Sequence, residues 1–237
     1  MIKYFEEEQE NENKHESVVE KHSKYHIVKY QNTHMYLNLE TGLNIQYTRN
    51  FLNTHDSKKY FKLFEKYIKY NSAEESKVLI RGQYIDIPRT QTAYGDPGTY
   101  YKFSGNVVKA KNWLEKGLIE SILQDIVHKL EIYCGTKFNF VLINKYADGT
   151  KYIGFHSDDE KDLGPEPKIA GVSFGQTRPI YFQNKVTGDT DVKQDLEPGS
   201  VVVMNHPTNV HWRHSIPKTS KQMGTRISLT FRKMYIK

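Results

Sequence analysis

The sequence contains one cysteine, Cys134, among its 237 residues. A lone thiol excludes internal disulfides and every zinc or iron–sulfur site built from several cysteines, and it is typical of a reducing intracellular compartment. Any metal must therefore be held by histidine and carboxylate side chains. No apolar run approaches the roughly 20 residues of a membrane span, and the N-terminus lacks the apolar core of a signal peptide. We expect a soluble, intracellular protein with no membrane attachment, either nuclear or cytoplasmic.

The chain has only a modest excess of positive charge, with 34 basic against 28 acidic residues and a formal net charge of +6. Such a surface favours polyanions such as nucleic acid, although many basic proteins are merely soluble. Residues 1–25 are rich in Glu, Lys, Asn and His, and they predict a disordered charged tail because they can bury too little apolar surface. Residues 26–237 suit one well-cored domain, which we expect to be monomeric.

Two stretches show the apolar spacing of amphipathic helices. The first predicted helix has about 14 residues with Asp56 or Ser57 as its N-cap, and the second runs from Asn112 to Tyr133 and stops at Gly135. Strands are then predicted at 137–146, 151–156, 169–174, 178–184, 200–205 and 226–233. Many short strands preceded by two helices predict an α+β fold with a jelly-roll-like β-sandwich buttressed by helices.

The stretch KYIGFHSDDE, residues 151–160, places His156 two residues before Asp158. In an extended chain these side chains share one face and can meet on a divalent metal, but short His-x-Asp pairs also arise by chance. A third ligand is available in MNHPTNVHWRHS, which contains His206, His211 and His214. Two imidazoles and one carboxylate suit iron(II) with open positions for substrate and oxygen, whereas zinc with a bound water would indicate a hydrolase.

The last predicted strand has one apolar and one polar face. Its even-numbered residues are Arg226, Ser228, Thr230 and Arg232, and its odd-numbered ones are Ile227, Leu229 and Phe231. If the polar face points outward, this is an ordinary amphipathic strand. If it points inward, the guanidinium groups need anions, and a bound dicarboxylate would supply them. By the same alternation Asn144 and Tyr146 share a face of strand 137–146.

The segment 77–105 combines aromatic residues with Arg81 and Arg89. Its aromatic residues include Tyr94, Tyr100, Tyr101 and Phe103. Interleaved rings and arginines can stack an unpaired base and neutralise phosphates. The alternative is an aromatic hairpin packed on the core.

With these stretches together, the chain closely resembles the AlkB family of Fe(II)- and 2-oxoglutarate-dependent dioxygenases, nearest to its eukaryotic DNA-repair branch. The resemblance covers residues 79–233. It rests on PRTQTAYGDPGTYYKFSG (88–105), FNFVLINKYADG (138–149), IGFHSDDE (153–160), VSFG (172–175), MNHPTNVHW (204–212) and RISLTFRK (226–233). It implies a double-stranded β-helix (jelly-roll) core and a nucleotide-recognition lid at about residues 77–105.

The resemblance also implies roles for individual residues. The Fe(II) ligands would be His156, Asp158 and His214, and the cosubstrates would be 2-oxoglutarate and O2. The residues implied for 2-oxoglutarate are Asn144, Tyr146, Arg226, Thr230 and Arg232, with the pairing of arginines and carboxylates left open. The residues implied for the nucleic acid are Phe103, stacked on a flipped-out base, Tyr101 beside it, Asp159 and Glu160 at its polar edge, and Arg89 in a loop that approaches the DNA.

The reaction implied by the resemblance is oxidative demethylation of 1-methyladenine or 3-methylcytosine in alkylated DNA. Arg81 departs from the pattern, because it stands where duplex-acting relatives carry an aromatic wedge, and single-stranded DNA or RNA is therefore an open alternative. An RNA demethylase and a protein hydroxylase are further alternatives. A sandwich that only binds nucleic acid would leave the three metal ligands without a reason.

Overall fold

The computed structural model describes residues 17–22 and 25–235. The helices are α1 (Thr54–Tyr67), α2 (Leu118–Cys134) and α3 (Thr208–His211). The strands are β1 (Val18–Lys21), β2 (His26–Tyr30), β3 (Thr33–Asn38), β4 (Leu43–Thr48), β5 (Lys77–Ile80), β6 (Gln83–Asp86), β7 (Thr90–Gly95), β8 (Tyr100–Phe103), β9 (Asn106–Lys109), β10 (Lys111–Asn112), β11 (Phe140–Tyr146), β12 (Ile153–His156), β13 (Ile169–Gly175), β14 (Arg178–Asn184), β15 (Thr190–Leu196), β16 (Val201–Met204), β17 (Trp212–Ile216) and β18 (Arg226–Arg232).

Two sheets form the body of the fold. The larger has the order β1-β2-β3-β4-β16-β13-β18-β11-β7-β10, and the smaller has the order β12-β17-β14-β15. Buried apolar side chains from both sheets pack together in the space between them, including Phe140, Leu142, Phe182 and Trp212. A second apolar layer joins the outer face of the larger sheet to α1 and α2. The predicted jelly-roll core with buttressing helices is confirmed.

The central strand β18 shows how sequence alternation builds these layers. Ile227, Leu229 and Phe231 pack on the helix side of the larger sheet. The polar residues of the other face, among them Arg226 and Arg232, line a cavity between the sheets. The polar face of this strand therefore points inward, and its arginines are 2 % and 3 % exposed. Both guanidinium groups consequently need partners inside the protein.

The helix boundaries differ from the predicted ones at both N-termini. The side chain of Asn53, and not that of Asp56 or Ser57, caps α1 by accepting a hydrogen bond from the Asp56 amide at 2.8 Å. α2 begins at Leu118, because the preceding residues 111–112 form β10 in parallel with β7. Its end is as predicted, with Gly135 in the left-handed region at φ 63°.

The N-terminal strands β1 to β4 extend the larger sheet, and β4 joins it through β16. The predicted tail lies largely outside the described residues, which exclude 1–16 and 23–24. Within the described part, Val18–Lys21 forms a strand in antiparallel register with β2, where the sequence predicted disorder. The edge of β2 supplies backbone hydrogen-bond partners that composition does not reveal. In the described ranges, no helix is long and apolar enough to cross a membrane.

The predicted recognition segment, residues 77–105, consists of three parts. β5–β6 and β8–β9 are separate two-stranded hairpins, whereas β7 between them belongs to the larger sheet and pairs with β11. Arg81 and Gly82 form the two-residue turn of the first hairpin, with φ values of 49° and 79°. Both hairpins contribute residues to the wall of the cavity between the sheets, and β7 joins them to the larger sheet.

Candidate active site

Three candidate metal ligands converge between the two sheets. His156 ends β12, Asp158 follows two residues later, and His214 is the central residue of β17. The two histidines are opposite each other in the register, and their ring centroids are 4.3 Å apart. One ligand atom from each of the three residues lies within 4.8 Å of the others. The structure thus brings together the set implied by the family resemblance, and no other such group occurs among the described residues.

Asp158 is 2 % exposed and is fixed from several sides. Its Oδ2 accepts a hydrogen bond from Arg232 Nη2 at 2.8 Å, its Oδ1 accepts one from the Tyr101 hydroxyl at 3.3 Å, and its amide donates to Asn209 Oδ1 at 3.2 Å. Burial by itself raises the pKa of Asp158. The positive charge of Arg232, together with the neighbouring His214 and His156, nevertheless holds that pKa well below its usual range. The carboxylate is ionised at neutral pH, as a metal ligand must be.

Both imidazoles are prepared to act as neutral ligands. Burial, reinforced by the neighbouring His156, lowers the pKa of His214 to about 3. His156 Nδ1 lies 2.9 Å from the Gly154 carbonyl oxygen. Because a carbonyl only accepts hydrogen bonds, Nδ1 carries the proton and Nε2 keeps its lone pair for a metal. This Nε2 lies 3.8 Å from Asp158 Oδ1. Two neutral imidazoles and one ionised carboxylate fit an iron(II) ion with open coordination positions.

Arg226 is a buried cation with unused donors. Its Nη2 donates to Ser173 Oγ at 3.0 Å and to Ser228 Oγ at 3.2 Å, whereas its Nε and Nη1 have no partner. Its guanidinium lies 5.3 Å from the centre of the Tyr146 ring. Burial lowers the pKa of Arg226 to about 10, so the group is still charged at neutral pH. A charged, desolvated guanidinium with free N–H donors on Nε and Nη1 fits a carboxylate of 2-oxoglutarate.

Arg232 lies six residues further along the same face and has different contacts. Besides the ion pair with Asp158, its Nη1 donates to the Thr230 carbonyl at 3.2 Å, and its guanidinium lies 4.5 Å from the centre of the Tyr101 ring. Arg232 therefore belongs to the metal end of the cavity. Arg226 forms no hydrogen bond or ion pair with a carboxylate among the described residues, and Thr230, between the two arginines on the same face, also lines the cavity.

Arg89 occupies a position that the sequence did not predict. The family resemblance placed it in a loop that approaches DNA. In the structure its Nε donates to Asn144 Oδ1 at 2.9 Å, and both residues line the cavity. Burial lowers the pKa of Arg89, as expected for a guanidinium withdrawn from solvent. Because the first hairpin returns to the core just before β7, the Arg89 side chain reaches the neighbouring strand β11 and does not extend outward.

The hairpin β8–β9 places two aromatic residues at the end of the cavity that holds the metal ligands. Tyr101 and Phe103 lie on β8 with ring centroids 5.3 Å apart and planes tilted by 32°. Tyr101 is 3 % exposed beneath Arg232, whereas Phe103 is only partly buried and lines the cavity. Glu160 lines the same wall, and its Oε2 has no partner. Burial, followed by the charge of Asp158, raises the pKa of Glu160.

Two predicted substrate residues lie outside the cavity. Asp159 is exposed and pairs with Lys185 at 3.4 Å, because successive residues after β12 point in opposite directions and Glu160 takes the inward position. The Asp159 role at the edge of the base is therefore not supported by its position. Arg81 lies at the exposed turn of the β5–β6 hairpin and does not line the cavity.

Several residues of the site were not assigned from the sequence. Ser173 and Ser228 hold Arg226, Asn209 holds the amide of Asp158, and the buried Arg178 binds three backbone carbonyls. Ser228 could have been found, since it shares the alternating face of the two arginines. Asn209 and Arg178 gave no signal, because their partners come from distant parts of the chain.

The three candidate metal ligands, Arg226 and Phe103 line one cavity of about 500 Å³ between the two sheets. A His, Asp, His ligand set and an anion-seeking arginine, held on facing sheets of a jelly roll, define a non-haem iron oxygenase that uses a 2-oxo acid. The 2OG-Fe(II) oxygenase superfamily matches residues 44–232, and the chain belongs to it. Iron(II), 2-oxoglutarate and O2 are accordingly its cofactor and cosubstrates.

Within that superfamily, the chain is similar to proteins named for DNA demethylation. It is 38% identical over 200 residues to the DNA oxidative demethylase ALKBH2 of Bos taurus, covering 81% of this chain and 69% of that protein. It is 31% identical over 219 residues to the DNA oxidative demethylase ALKBH2 of Arabidopsis thaliana, covering 83% and 68%.

A third relative, the alpha-ketoglutarate-dependent dioxygenase alkB homolog 3 of Homo sapiens, is 31% identical over 157 residues, covering 62% of this chain and 52% of that protein. The structure of OsALKBH1 shares the fold, with a TM-score of 0.52 and 18% identity over 80% of this chain and 97% of that one. The resemblance to the AlkB family and the prediction of a 2-oxoglutarate-dependent oxygenase are confirmed.

Proposed function

We propose that this protein oxidatively demethylates N-alkylated bases in DNA, with 1-methyladenine and 3-methylcytosine as substrates. The observation that carries the proposal is the meeting, in one cavity, of three metal ligands, a partly exposed ring at Phe103 and an unpaired carboxyl oxygen at Glu160. The similarity to DNA oxidative demethylases over four-fifths of the chain supports DNA as the substrate.

The binding roles follow from the unpaired donors. Iron(II) would be held by His156, Asp158 and His214, and together with 2-oxoglutarate and O2 it supplies an oxidant that converts an N-methyl group into a hydroxymethyl group, which leaves as formaldehyde. Arg226 would bind the 2-oxoglutarate carboxylate that lies farther from the metal, since its Nε and Nη1 are free. Arg232 would orient Asp158 at the metal end, where it already forms an ion pair.

The remaining cosubstrate residues support this orientation. Tyr146 lies against the Arg226 guanidinium and closes that end of the cavity. Asn144 and Thr230 line the middle of the cavity, and Arg89 holds the Asn144 side chain by its amide oxygen. Because Arg89 leaves the amide nitrogen of Asn144 free to donate, that nitrogen is available to a 2-oxoglutarate oxygen.

The base would enter from the lid. A flipped base stacked on Phe103 gains about 1–3 kcal/mol, and this gain does not depend on base identity. Methylation at N1 of adenine or N3 of cytosine makes the base cationic, and the carboxyl groups of Glu160 and Asp158 on the same wall favour that cation over a neutral base. The carboxyl groups on this wall would therefore select methylated bases. The Phe103 ring would accept either a purine or a pyrimidine.

The turn at Arg81 bears on the strand preference. An apolar wedge replaces the stacking lost when a base leaves a duplex, whereas an exposed guanidinium also seeks phosphates. We propose that the protein acts better on single-stranded than on duplex DNA. The monomeric state stays a prediction, which light scattering would test.

The test is the release of formaldehyde and succinate by purified protein with Fe(II), 2-oxoglutarate and ascorbate. Oligonucleotides with one 1-methyladenine in single-stranded DNA, duplex DNA and RNA are compared, and Asp158→Ala serves as the control. Turnover that is lost in Asp158→Ala, with single-stranded DNA ranked first, is the expected result.

Other outcomes separate the alternatives. RNA ranked first would replace DNA as the substrate. If succinate forms but no oligonucleotide releases formaldehyde, the protein is an oxygenase but its substrate is not a nucleic acid, as expected for a protein hydroxylase. An absence of both products in iron-loaded protein would refute the proposed catalysis.

A further inference from the structure

Arg178 is a fully buried arginine at the first position of β14 that no part of the proposed chemistry uses. It is 1 % exposed. Its Nη1 donates to the Asp148 carbonyl at 3.1 Å, and its Nη2 donates to the Lys151 carbonyl at 3.1 Å and to the Pro217 carbonyl at 2.6 Å. All of these acceptors are backbone oxygens, so the guanidinium binds two loops and no carboxylate.

The two loops make equivalent connections between the strands of the site. Residues 147–152 connect β11 to β12, and residues 217–225 connect β17 to β18. Each loop thus joins a strand that carries metal ligands, on the smaller sheet, to a strand that carries cosubstrate residues, on the larger sheet. The Arg178 side chain therefore binds both of the loops that connect a metal-ligand strand to a cosubstrate strand.

The loops also contact each other directly around Arg178. The Thr219 amide donates to the Gly149 carbonyl at 2.9 Å, and a Cβ at Gly149 would lie 2.6 Å from the Lys221 carbonyl. This close approach leaves no room for a side chain at Gly149. The Thr225 hydroxyl donates to the Ala147 carbonyl at 3.3 Å, immediately before Arg226. The contacts form one packed unit that ends at the cosubstrate arginine.

The charge of Arg178 distinguishes it from a simple loop anchor. Its Nε has no hydrogen-bond partner, and neither do Nε and Nη1 of Arg226. Burial is the main cause of the lowered pKa of Arg226, and the positive charge of Arg178 lowers it further. The two buried cations therefore repel each other, and an anion bound at Arg226 would relieve that repulsion.

We propose that Arg178 is a positioning residue, which holds the 147–152 and 217–225 loops together and thereby sets the spacing between the iron ligands and the 2-oxoglutarate site. This inference rests on the proposed 2-oxoglutarate site. Loss of the guanidinium removes hydrogen bonds to both loops at once, because no other side chain donates hydrogen bonds to backbone carbonyls of both loops among the described residues.

The first experiment measures hydrogen–deuterium exchange in Arg178→Lys, which keeps the charge but cannot span three carbonyls. The amides of Lys151 and Thr219 report on the two loops, and α2 is the internal reference. Arg213→Lys is the matched control, because Arg213 is an exposed arginine of the same sheet that donates to Gln183 Oε1 at 2.7 Å and lies over the Phe155 ring. If Arg178→Lys does not fold, Arg178→Met takes its place, since it buries no charge.

We expect exchange in both loops to rise at least tenfold relative to α2, with no such change in Arg213→Lys. The KM for 2-oxoglutarate should rise about tenfold, and succinate formed per formaldehyde should increase because the iron and cosubstrate sites lose their alignment. Loops that exchange as in the wild type would overturn the inference, and so would an unchanged KM. A wild-type protein without turnover would instead refute the proposed function, because the exchange result does not depend on catalysis.

Discussion

The arginine at the far end of the cavity allows a quantitative test of cosubstrate binding. Arg226 has free N–H donors on Nε and Nη1, and we assign its guanidinium to a carboxylate of 2-oxoglutarate. Arg226→Lys keeps the charge but removes the fork, and the loss of one charge-assisted hydrogen bond costs about 1.5–3 kcal/mol. At about 1.4 kcal/mol per factor of ten, the Kd for 2-oxoglutarate should rise about 10- to 100-fold.

The assay is thermal unfolding with Mn(II) in place of iron and without oxygen, so that no turnover occurs. At about 100 times the wild-type Kd, 2-oxoglutarate stabilises the fold by about 2.7 kcal/mol. At about 2–4 °C per kcal/mol for a chain of this size, the expected rise in Tm is about 5–11 °C. In Arg226→Lys the same concentration stabilises by only about 0.4–1.4 kcal/mol, and the rise in Tm should fall to half or less.

A second variant separates binding from folding. Arg226→Met removes a buried charge that has no anion in the cosubstrate-free protein, so its Tm without 2-oxoglutarate should equal or exceed that of the wild type. It should nevertheless show no rise with 2-oxoglutarate. Arg49→Lys, at an exposed ion pair with Glu197, is the control and should behave as the wild type. An undiminished rise in Arg226→Lys, or a strongly destabilised Arg226→Met, would refute the reasoning.

Three further predictions concern the base, the strand preference and the fold. Phe103→Ala should raise the KM for a methylated oligonucleotide about 5- to 150-fold in steady-state kinetics, since stacking is worth about 1–3 kcal/mol. Arg81→Phe should raise the ratio of duplex to single-strand turnover about tenfold. The unstacking of a base from a duplex costs a few kcal/mol, and a ring that fills the gap left by the flipped base lowers that cost. Gly135→Ala should lower the stability in urea by about 1–2 kcal/mol, because its φ of 63° disfavours a Cβ although no atom lies within 4 Å.

Each of these predictions has its own control. Phe103→Tyr keeps the ring and should retain most of the affinity, and equal losses in both variants would argue against stacking. Arg81→Gln removes the charge without adding a ring, so a gain in duplex turnover there would attribute the effect to loss of the Arg81 charge and not to a wedge. Gly154→Ala meets nothing within 4 Å and has no positive φ, so a similar loss of stability there would contradict the conformational explanation.

The alternation of β18 shows what the sequence predicts well. Odd and even residues of that strand fall on opposite sides of the larger sheet, so the pairing of Arg226 with Arg232 on one face followed from local geometry alone. The choice between inward and outward faces did not, because it depends on the strands β11 and β13 that pair on either side. The family resemblance supplied that choice, together with the ligand His214.

The missed features are the ones that depend on distant partners. β17 was not predicted because the segment around His214 was read only as a source of ligand candidates, although His214 owes its position to pairing with β12 and β14. Asp159 was assigned with Glu160 from the family resemblance, yet a change of one residue reverses the direction of a side chain in an extended segment. Arg178 could not be found at all, since its three acceptors are backbone oxygens of two loops.

The separation of the two hairpins from the main sheets has a consequence for how such a protein can diversify. Among the described residues, β5–β6 and β8–β9 share no strand pairing with the sheets that hold the iron and cosubstrate groups. Under the proposed function, a change at the turn of the first hairpin would therefore alter strand preference without shifting the register of any catalytic strand. Exchanging that hairpin between relatives should transfer strand preference as a module, and natural variation can explore new substrates while the oxidation chemistry is inherited intact.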